Sequence, residues 1–336
     1  MAKTKLGMVG LGAVAQIIHL PILSKMDSVE IVAVCDSEIS KAKSIASKYN
    51  VSKYYKDVEK MLEENPEMTA VIIATQTNMH KDVAKKCLEA EKDILVEKPI
   101  ARNYKEAKEI VEYAKKYKRK IMVGMNNRFR NDMMMQRTFT KAKEIGEVFY
   151  IKAGWVKPQS TNQRWILEKD KSGGGVFLDN GIAMLDLGLW ILGFPDIRSV
   201  TATNYFHNTK SVEDSSIAMI KFKNNATLTI EVSWGLLREG ELFYCNVYGK
   251  EGSSSINPFK IYKKMEGNLY NITPKKIVTP SNLFKKSYEY ELQHFVGALR
   301  GNNNILSGGE DALKVMGIVD AIYKSCLLYT SPSPRD

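Results

Sequence analysis

The residues best suited to chemistry stand near the start of the 336-residue chain, in the run Gly10-Leu11-Gly12-Ala13-Val14-Ala15. Gly10 allows a tight turn, Gly12 lets the backbone approach a pyrophosphate that any side chain would block, and Ala15 permits a helix to pack closely on a sheet. The phosphates then sit at the positive end of that helix. Further on, Val32-Ala33-Val34-Cys35-Asp36 ends in a carboxylate. Its distance from the glycines is close to the ~20 residues at which an acidic side chain accepts hydrogen bonds from an adenosine ribose. A carboxylate there repels a ribose phosphate, so the pattern favours NAD; Ser37 and Lys41 beside it leave NADP open. The competing interpretation is a structural glycine turn with a surface aspartate. A second group, Glu97-Lys98-Pro99, follows a short apolar run. If that run is a strand of the same sheet, Lys98 stands at the carboxyl edge, where ligands of such sheets bind. Its ammonium could orient a substrate hydroxyl, or its amine take a proton if burial lowers the pKa. The bland alternative is a surface lysine ahead of a loop proline.

These groups need a scaffold, and the first 125 residues supply one pattern for it. Apolar runs at 6–11, 29–35, 70–75, 94–96 and 121–123 predict strands. Helical periodicity separates them over 13–25, 40–49, 79–90 and 104–117. Strand–helix alternation argues for a parallel sheet with right-handed crossovers, here an N-terminal Rossmann domain over 1–125. After Gly124 the texture changes. A helix over 131–145, a strand over 147–156 and a long apolar helix after Gly173-Gly174-Gly175 are expected, then strands over 216–222, 226–234 and 242–248, with a hairpin turn at Lys223-Asn224-Asn225. Two amphipathic helices follow, one carrying Tyr288, Leu292, Phe295, Val296 and Leu299 on a face, the other Leu313, Met316, Val319 and Tyr323. The fold class is α/β, with a second, α+β domain over 126–327 built on a large, mostly antiparallel sheet. Residues 328–336 break the helical pattern and are expected to be a foreign or disordered tail.

Composition narrows the classes further. The net charge is +11, but the lysines are interleaved with glutamates and accompany no nucleic-acid motif, so a solvated surface with no nucleic-acid partner is expected. No apolar run is seen to approach the ~20 residues of a membrane helix, and no membrane association is expected. No export signal is expected from the residues at the start of the sequence. The four cysteines form no CxxC pair or metal spacing, which suggests a reducing, cytoplasmic setting and no metal. His19, ahead of Leu20-Pro21, and His294, among apolar neighbours, read as structural; Met133-Met134-Met135 reads as packing.

Taken in order, these elements resemble the glucose–fructose oxidoreductase and myo-inositol dehydrogenase family (Gfo/Idh/MocA). The resemblance rests on the glycine run, Ala74-Thr75 with Asn78 and His80, Glu97-Lys98-Pro99, Gly124-Met125-Asn126-Asn127-Arg128-Phe129, Gly173-Gly174-Gly175 leading to Asp179-Asn180-Gly181, and the closing helices. It covers nearly everything before residue 327. It implies hydride transfer between nicotinamide and a carbinol or carbonyl carbon of a sugar, polyol or inositol-like substrate. By that likeness Lys98 and Asp179 are catalytic. Gly10, Gly12, Ala13, Val14, Asp36, Ser37, Ala74, Thr75, Asn78, His80, Glu97, Lys98 and Asn126 line the cofactor, and Lys98, Asn126, Arg128, Trp165, Asp179 and Asn180 the substrate; the likeness brings the segment Arg164-Trp165 near the same cleft. A homodimer or homotetramer is implied. One departure matters: many relatives carry a histidine four residues after this aspartate, where the chain has Ala183. Lys98 with Asp179 or a water could then move the proton; His207, Tyr205 or Tyr244 could enter; or dehydrogenase chemistry could be lost. A non-catalytic NAD(P)-binding sensor and an NAD-dependent glycoside hydrolase stand as alternatives.

Overall fold

Continuous apolar runs in the first third of the chain form strands buried on both faces, as expected where helices cover both sides of a parallel sheet. In a computed structural model, which describes residues 2–157, 164–235, 239–275 and 282–328, these are β1 (Thr4–Val9), β2 (Val29–Cys35), β3 (Lys53–Tyr55), β4 (Ala70–Ile73), β5 (Asp93–Glu97) and β6 (Ile121–Gly124). They form a six-stranded sheet in the order β3-β2-β1-β4-β5-β6, every neighbour parallel. Strand order reverses between β1 and β4, which opens a crevice at their carboxyl ends. Leu6, Met8, Ile72, Leu95 and Met122 are fully buried in its core.

The chain does not divide at one point. Met1–Phe129 joins with Asn282–Leu313 as one compact unit, and Arg130–Ser281 with Lys314–Asp336 as the other. The sequence reading placed both closing helices in the second domain. Yet the helix Leu283–Leu299 contributes Tyr288, Leu292, Phe295 and Val296 to the first core. Ser307 is tied to β6 through its own carbonyl, which accepts from Val123 N–H at 2.8 Å, and its hydroxyl, which donates to Val123 O at 2.7 Å.

The second unit is built on eight strands: β7 (Val148–Val156), β8 (Ile197–Tyr205), β9 (Ser215–Phe222), β10 (Thr227–Ser233), β11 (Leu242–Gly249), β12 (Gly252–Ser255), β13 (Lys260–Met265) and β14 (Asn268–Asn271). Their order is β14-β13-β12-β11-β7-β10-β9-β8, antiparallel throughout except where β7 pairs in parallel with β10. The expected turn at 223–225 joins β9 to β10. A helix over 176–192 lies on this sheet, and a Cβ at Gly188 would stand 2.6 Å from a methyl of Leu228 on β10. Contrary to the expectation that no run is long enough, the helical stretch Lys169–Leu192 has the length and hydropathy of a membrane span; 89% of that apolar window is buried within the protein, as in a core helix. Most of the expected foreign tail, 329–336, lies outside the described residues.

Candidate active site

The glycine turn after β1 has the features a dinucleotide needs. Gly10 adopts φ +88°, and a Cβ on it would lie 2.5 Å from the Ala74 carbonyl carbon and 2.6 Å from Thr75 N. Both the left-handed backbone and the contact with the end of β4 therefore require glycine. Gly12 is different: an added Cβ meets nothing within 4 Å. Its role is to leave open space at the N-terminus of the helix over 13–23, where free amides and the helix dipole favour an anion. Asp36, at the end of β2, fastens the turn by accepting Leu11 N–H at 2.9 Å. The other oxygen accepts Glu38 N–H at 3.0 Å and the Lys41 ammonium at 3.2 Å. Of the ~4 acceptor positions on a carboxylate, about one is left for a ribose hydroxyl. Burial acts to lower the Lys41 pKa, but hydrogen bonding to Asp36 and Glu38 outweighs it and raises the value. Ala13 and Ser37 are exposed, while Val14 packs on the core. Asn78, in the first turn of the helix Thr77–Glu89, has a buried Oδ1 with no hydrogen-bond partner. An open cradle, a placed carboxylate and an orphaned acceptor together fit a nicotinamide dinucleotide.

His80 plays another part than cofactor contact. The ring is buried, with Nδ1 2.9 Å from Pro99 O and Nε2 3.1 Å from Thr75 O. Neither nitrogen is left for a ligand. Burial lowers its pKa while these carbonyls act to raise it, and the ring lies between the loop after β4 and the segment after Lys98. Lys98 emerges half-buried at the carboxyl end of β5. Glu97, beside it, is buried and accepts Lys98 N–H at 3.2 Å. Its other oxygen is 2.7 Å from Nε2 of His19. Burial alone would raise the Glu97 pKa; the hydrogen bond and charge of His19, with Lys98, reverse the effect and hold the carboxyl below its usual value.

Two expected ligand contacts turn inward instead. Arg128 is 1% exposed, and its guanidinium donates to Leu306 O at 2.6 Å and Asp311 Oδ2 at 2.8 Å. A guanidinium this far from water is held by such partners, so Arg128 serves the core of the first unit and not a substrate. Asn126 is also buried and donates its amide to Ser287 Oγ at 2.9 Å, which fixes the turn after β6 to the helix Leu283–Leu299.

In the second unit, Asp179 lies half-buried in a π turn, Phe177–Gly181, at the start of the helix over 176–192. π turns occur often at functional sites. Its Oδ2 accepts the Trp234 indole N–H at 3.3 Å. Asn180 is buried, with an Nδ2 that finds no acceptor. Ala183 is buried one turn on, and an alanine moves no proton. Trp165 is half-buried in a short turn, Arg164–Leu167; the Arg164 side chain lies outside the described residues.

The glycine triplet before this helix has a steric cause that sequence did not reveal. A Cβ at Gly174 would collide with the Tyr323 hydroxyl at 2.0 Å, and one at Gly175 with Glu213 O at 2.0 Å. The buried Glu213 carboxylate accepts N–H bonds from Gly175 and Phe177, both at 3.0 Å, and the Tyr323 hydroxyl at 2.9 Å. It thereby holds the turn carrying Asp179. Burial raises its pKa, and the donors only partly counter this. Glu213, Tyr323 and Trp234 are the positioning residues sequence reasoning missed; no spacing connects them. Of the expected Tyr244 and His207, Tyr244 donates to Glu231 at 2.9 Å on the sheet, and His207 is exposed and stacks on Tyr205.

Comparison with known proteins finds relatives for both parts of the chain. The model of the Gfo/Idh/MocA oxidoreductase family with NAD-binding Rossmann fold matches residues 4–125, and that of its C-terminal α/β domain residues 140–327. A D-glucoside 3-dehydrogenase of Escherichia coli (strain K12) is 26% identical over 339 residues, covering 96% of this chain and 95% of that one. The scyllo-inositol 2-dehydrogenase (NAD+) of Bacillus subtilis (strain 168) is 27% identical over 319 residues, covering 92% and 90%. A levoglucosan dehydrogenase in complex with NADH and L-sorbose has the same fold, with a TM-score of 0.87, 18% identity and 98% of both chains covered.

Proposed function

The chain belongs to the Gfo/Idh/MocA oxidoreductase family, and from that premise we propose that this NAD-dependent dehydrogenase acts on a CH–OH carbon of a sugar, polyol or inositol-like substrate. The observation that carries the reading is Lys98 at the carboxyl end of β5, on the same sheet edge as the open glycine turn after β1. Relatives named for glucosides and inositols support the substrate class.

Bound NAD⁺ supplies the hydride acceptor at its nicotinamide ring. The backbone amides of the turn at Gly12 and the helix N-terminus would hold the phosphates, Asp36 the ribose, and Asn78 would offer its free acceptor. In oxidation the substrate C–H bond breaks with its electron pair leaving as hydride, and the O–H proton passes to a base. Lys98 would orient the reacting oxygen or take its proton, and Asp179 is the second unit's candidate acceptor for a substrate hydroxyl. The first unit is the cofactor-binding part, and the second recognises substrate. Ala183 removes the usual acid/base partner; a positioned acid or base is worth about 10²–10⁴-fold, so the load falls on Lys98.

The second unit supports self-association. Tyr150 and Tyr248 stack at 5.6 Å, Tyr150 bonds Thr229, and Ile217 is 51% exposed on the same sheet. A homodimer or homotetramer is the expected state, readable by light scattering. The four free cysteines, three of them buried, fit a reducing compartment.

The deciding experiment follows reduced-nicotinamide absorbance with NAD⁺ and a panel of sugars, inositols and sugar acids. Turnover that disappears in Lys98→Ala, with NAD⁺ binding retained, is the expected result. Binding of NAD⁺ without turnover on any substrate would favour a sensor, the reading Ala183 motivates. Released sugar without net NADH would favour glycoside hydrolysis.

A further inference from the structure

His19 is fully buried, and its position depends on an irregularity in the helix that carries the glycine turn. Residues Ala15–His19 form a π turn, capped by Leu20 N–H on Ala15 O. The ring meets Glu97 at 2.7 Å through Nε2, while Nδ1 has no hydrogen-bond partner and the ring stands edge-on to Tyr288 at 5.9 Å. Space for the carboxylate is kept by β6: a Cβ on Gly124 would lie 3.1 Å from Glu97 Oε2. That same oxygen accepts the backbone N–H of Lys98.

A buried pair of this kind rarely adds stability over an apolar pair of similar size. This one spans 78 residues of sequence and joins two parts of the cofactor site: the helix whose N-terminus receives the phosphates, and the strand end from which Lys98 projects. We propose that His19 is a positioning residue that acts through Glu97 to hold Lys98 in register with the bound dinucleotide. His19 touches neither cofactor nor substrate; its ring fixes the Glu97 carboxylate, and that carboxylate fixes the Lys98 backbone. This rests on the role assigned to Lys98 above.

The test compares His19→Leu, which removes the ring donor, with His19→Gln, whose amide nitrogen can occupy the place of Nε2. Each is made alone and in a Lys98→Ala background. With the substrate that turns over best, His19→Leu lowers kcat by about 10–100-fold, the scale of a small misplacement of a reacting group. NAD⁺ affinity, read by fluorescence quenching, changes by less than about 3-fold, equivalent to under ~0.7 kcal/mol. His19→Gln restores kcat. In the Lys98→Ala background, His19→Leu changes the residual single-turnover rate by less than about 2-fold, since residues that act as a unit are non-additive.

A second readout needs no turnover. Lysines are dimethylated with ¹³C in the NAD⁺-loaded protein, and the Lys98 signal is identified by its loss in Lys98→Ala. That signal keeps its shift in His19→Gln and moves to the bulk lysine position in His19→Leu. An unmoved signal with unchanged kcat in His19→Leu overturns the proposal. So does an equal loss in both backgrounds, or equal impairment by Leu and Gln, which would mark a purely structural residue. Wild-type turnover in Lys98→Ala would instead overturn the lysine's catalytic role, a distinct outcome.

Discussion

Glu213→Ala removes the carboxylate that anchors the turn carrying Asp179. Three donors lose their acceptor: Gly175 N–H, Phe177 N–H and the Tyr323 hydroxyl. A buried donor left unsatisfied costs about 1–3 kcal/mol. Part of this is offset, because burial raises the Glu213 pKa and the folded protein gains when that poorly solvated carboxylate is removed. The net destabilisation of the second unit comes to about 2–4 kcal/mol. Urea unfolding followed by tryptophan fluorescence at pH 7 should show its midpoint lowered by roughly 1–2 M. Glu213→Gln keeps an oxygen for these donors and should stay within about 1 kcal/mol of wild type. The pH dependence has a definite sign. The folded carboxyl titrates above the unfolded value of ~4.3, so its contribution is fully present below that pH and is lost as pH rises through the folded pKa. Glu213→Gln therefore gains on wild type as pH rises across that window. Alanine within about 0.5 kcal/mol of wild type, or glutamine as damaging as alanine, would refute the anchoring argument.

Gly12→Ala puts a Cβ into the open cradle with no protein atom within 4 Å; the fold should persist, while NAD⁺ affinity measured by calorimetry drops about 100-fold, or ~2.7 kcal/mol. Asp36→Ala releases Leu11 N–H and Lys41 together, and should weaken NAD⁺ while narrowing its advantage over NADP⁺ in competition binding; an unchanged preference would show that Asp36 does not read the ribose. Arg128→Met removes a buried guanidinium from Asp311, whose side chain is 32% exposed, and from Leu306 O, and should cost about 1–3 kcal/mol in thermal or urea unfolding. The substrate KM of the surviving enzyme should not move, and a raised KM with full stability would return Arg128 to the substrate site.

Much of the first unit was legible because its determinants are local. Strands buried on both faces read as apolar runs, and the glycine turn announces itself because only glycine allows φ +88° at Gly10 and an open cradle at Gly12. Strand β8 escaped notice because eight of its nine positions stay at least partly solvent-accessible, leaving no alternation to read. Strand β12, Gly-Ser-Ser-Ser, is small and polar and becomes a strand only by pairing with β11 and β13. Both π turns escaped as well, since an inserted residue leaves helical periodicity nearly intact over so short a span.

For the site, sequence by itself determined which groups can do chemistry: a phosphate turn, a ribose carboxylate, a lysine at a strand end and an aspartate before an alanine that cannot carry protons. Tertiary structure alone decided which of the remaining polar residues face inward. Arg128 looked like a ligand until Asp311, 183 residues away, was brought to it, and Glu213 looked like nothing until the fold set it under the glycine triplet. The physical reason is common to both: a buried charge or amide must find a partner, and which partner is near depends on long-range chain packing that local pattern does not encode.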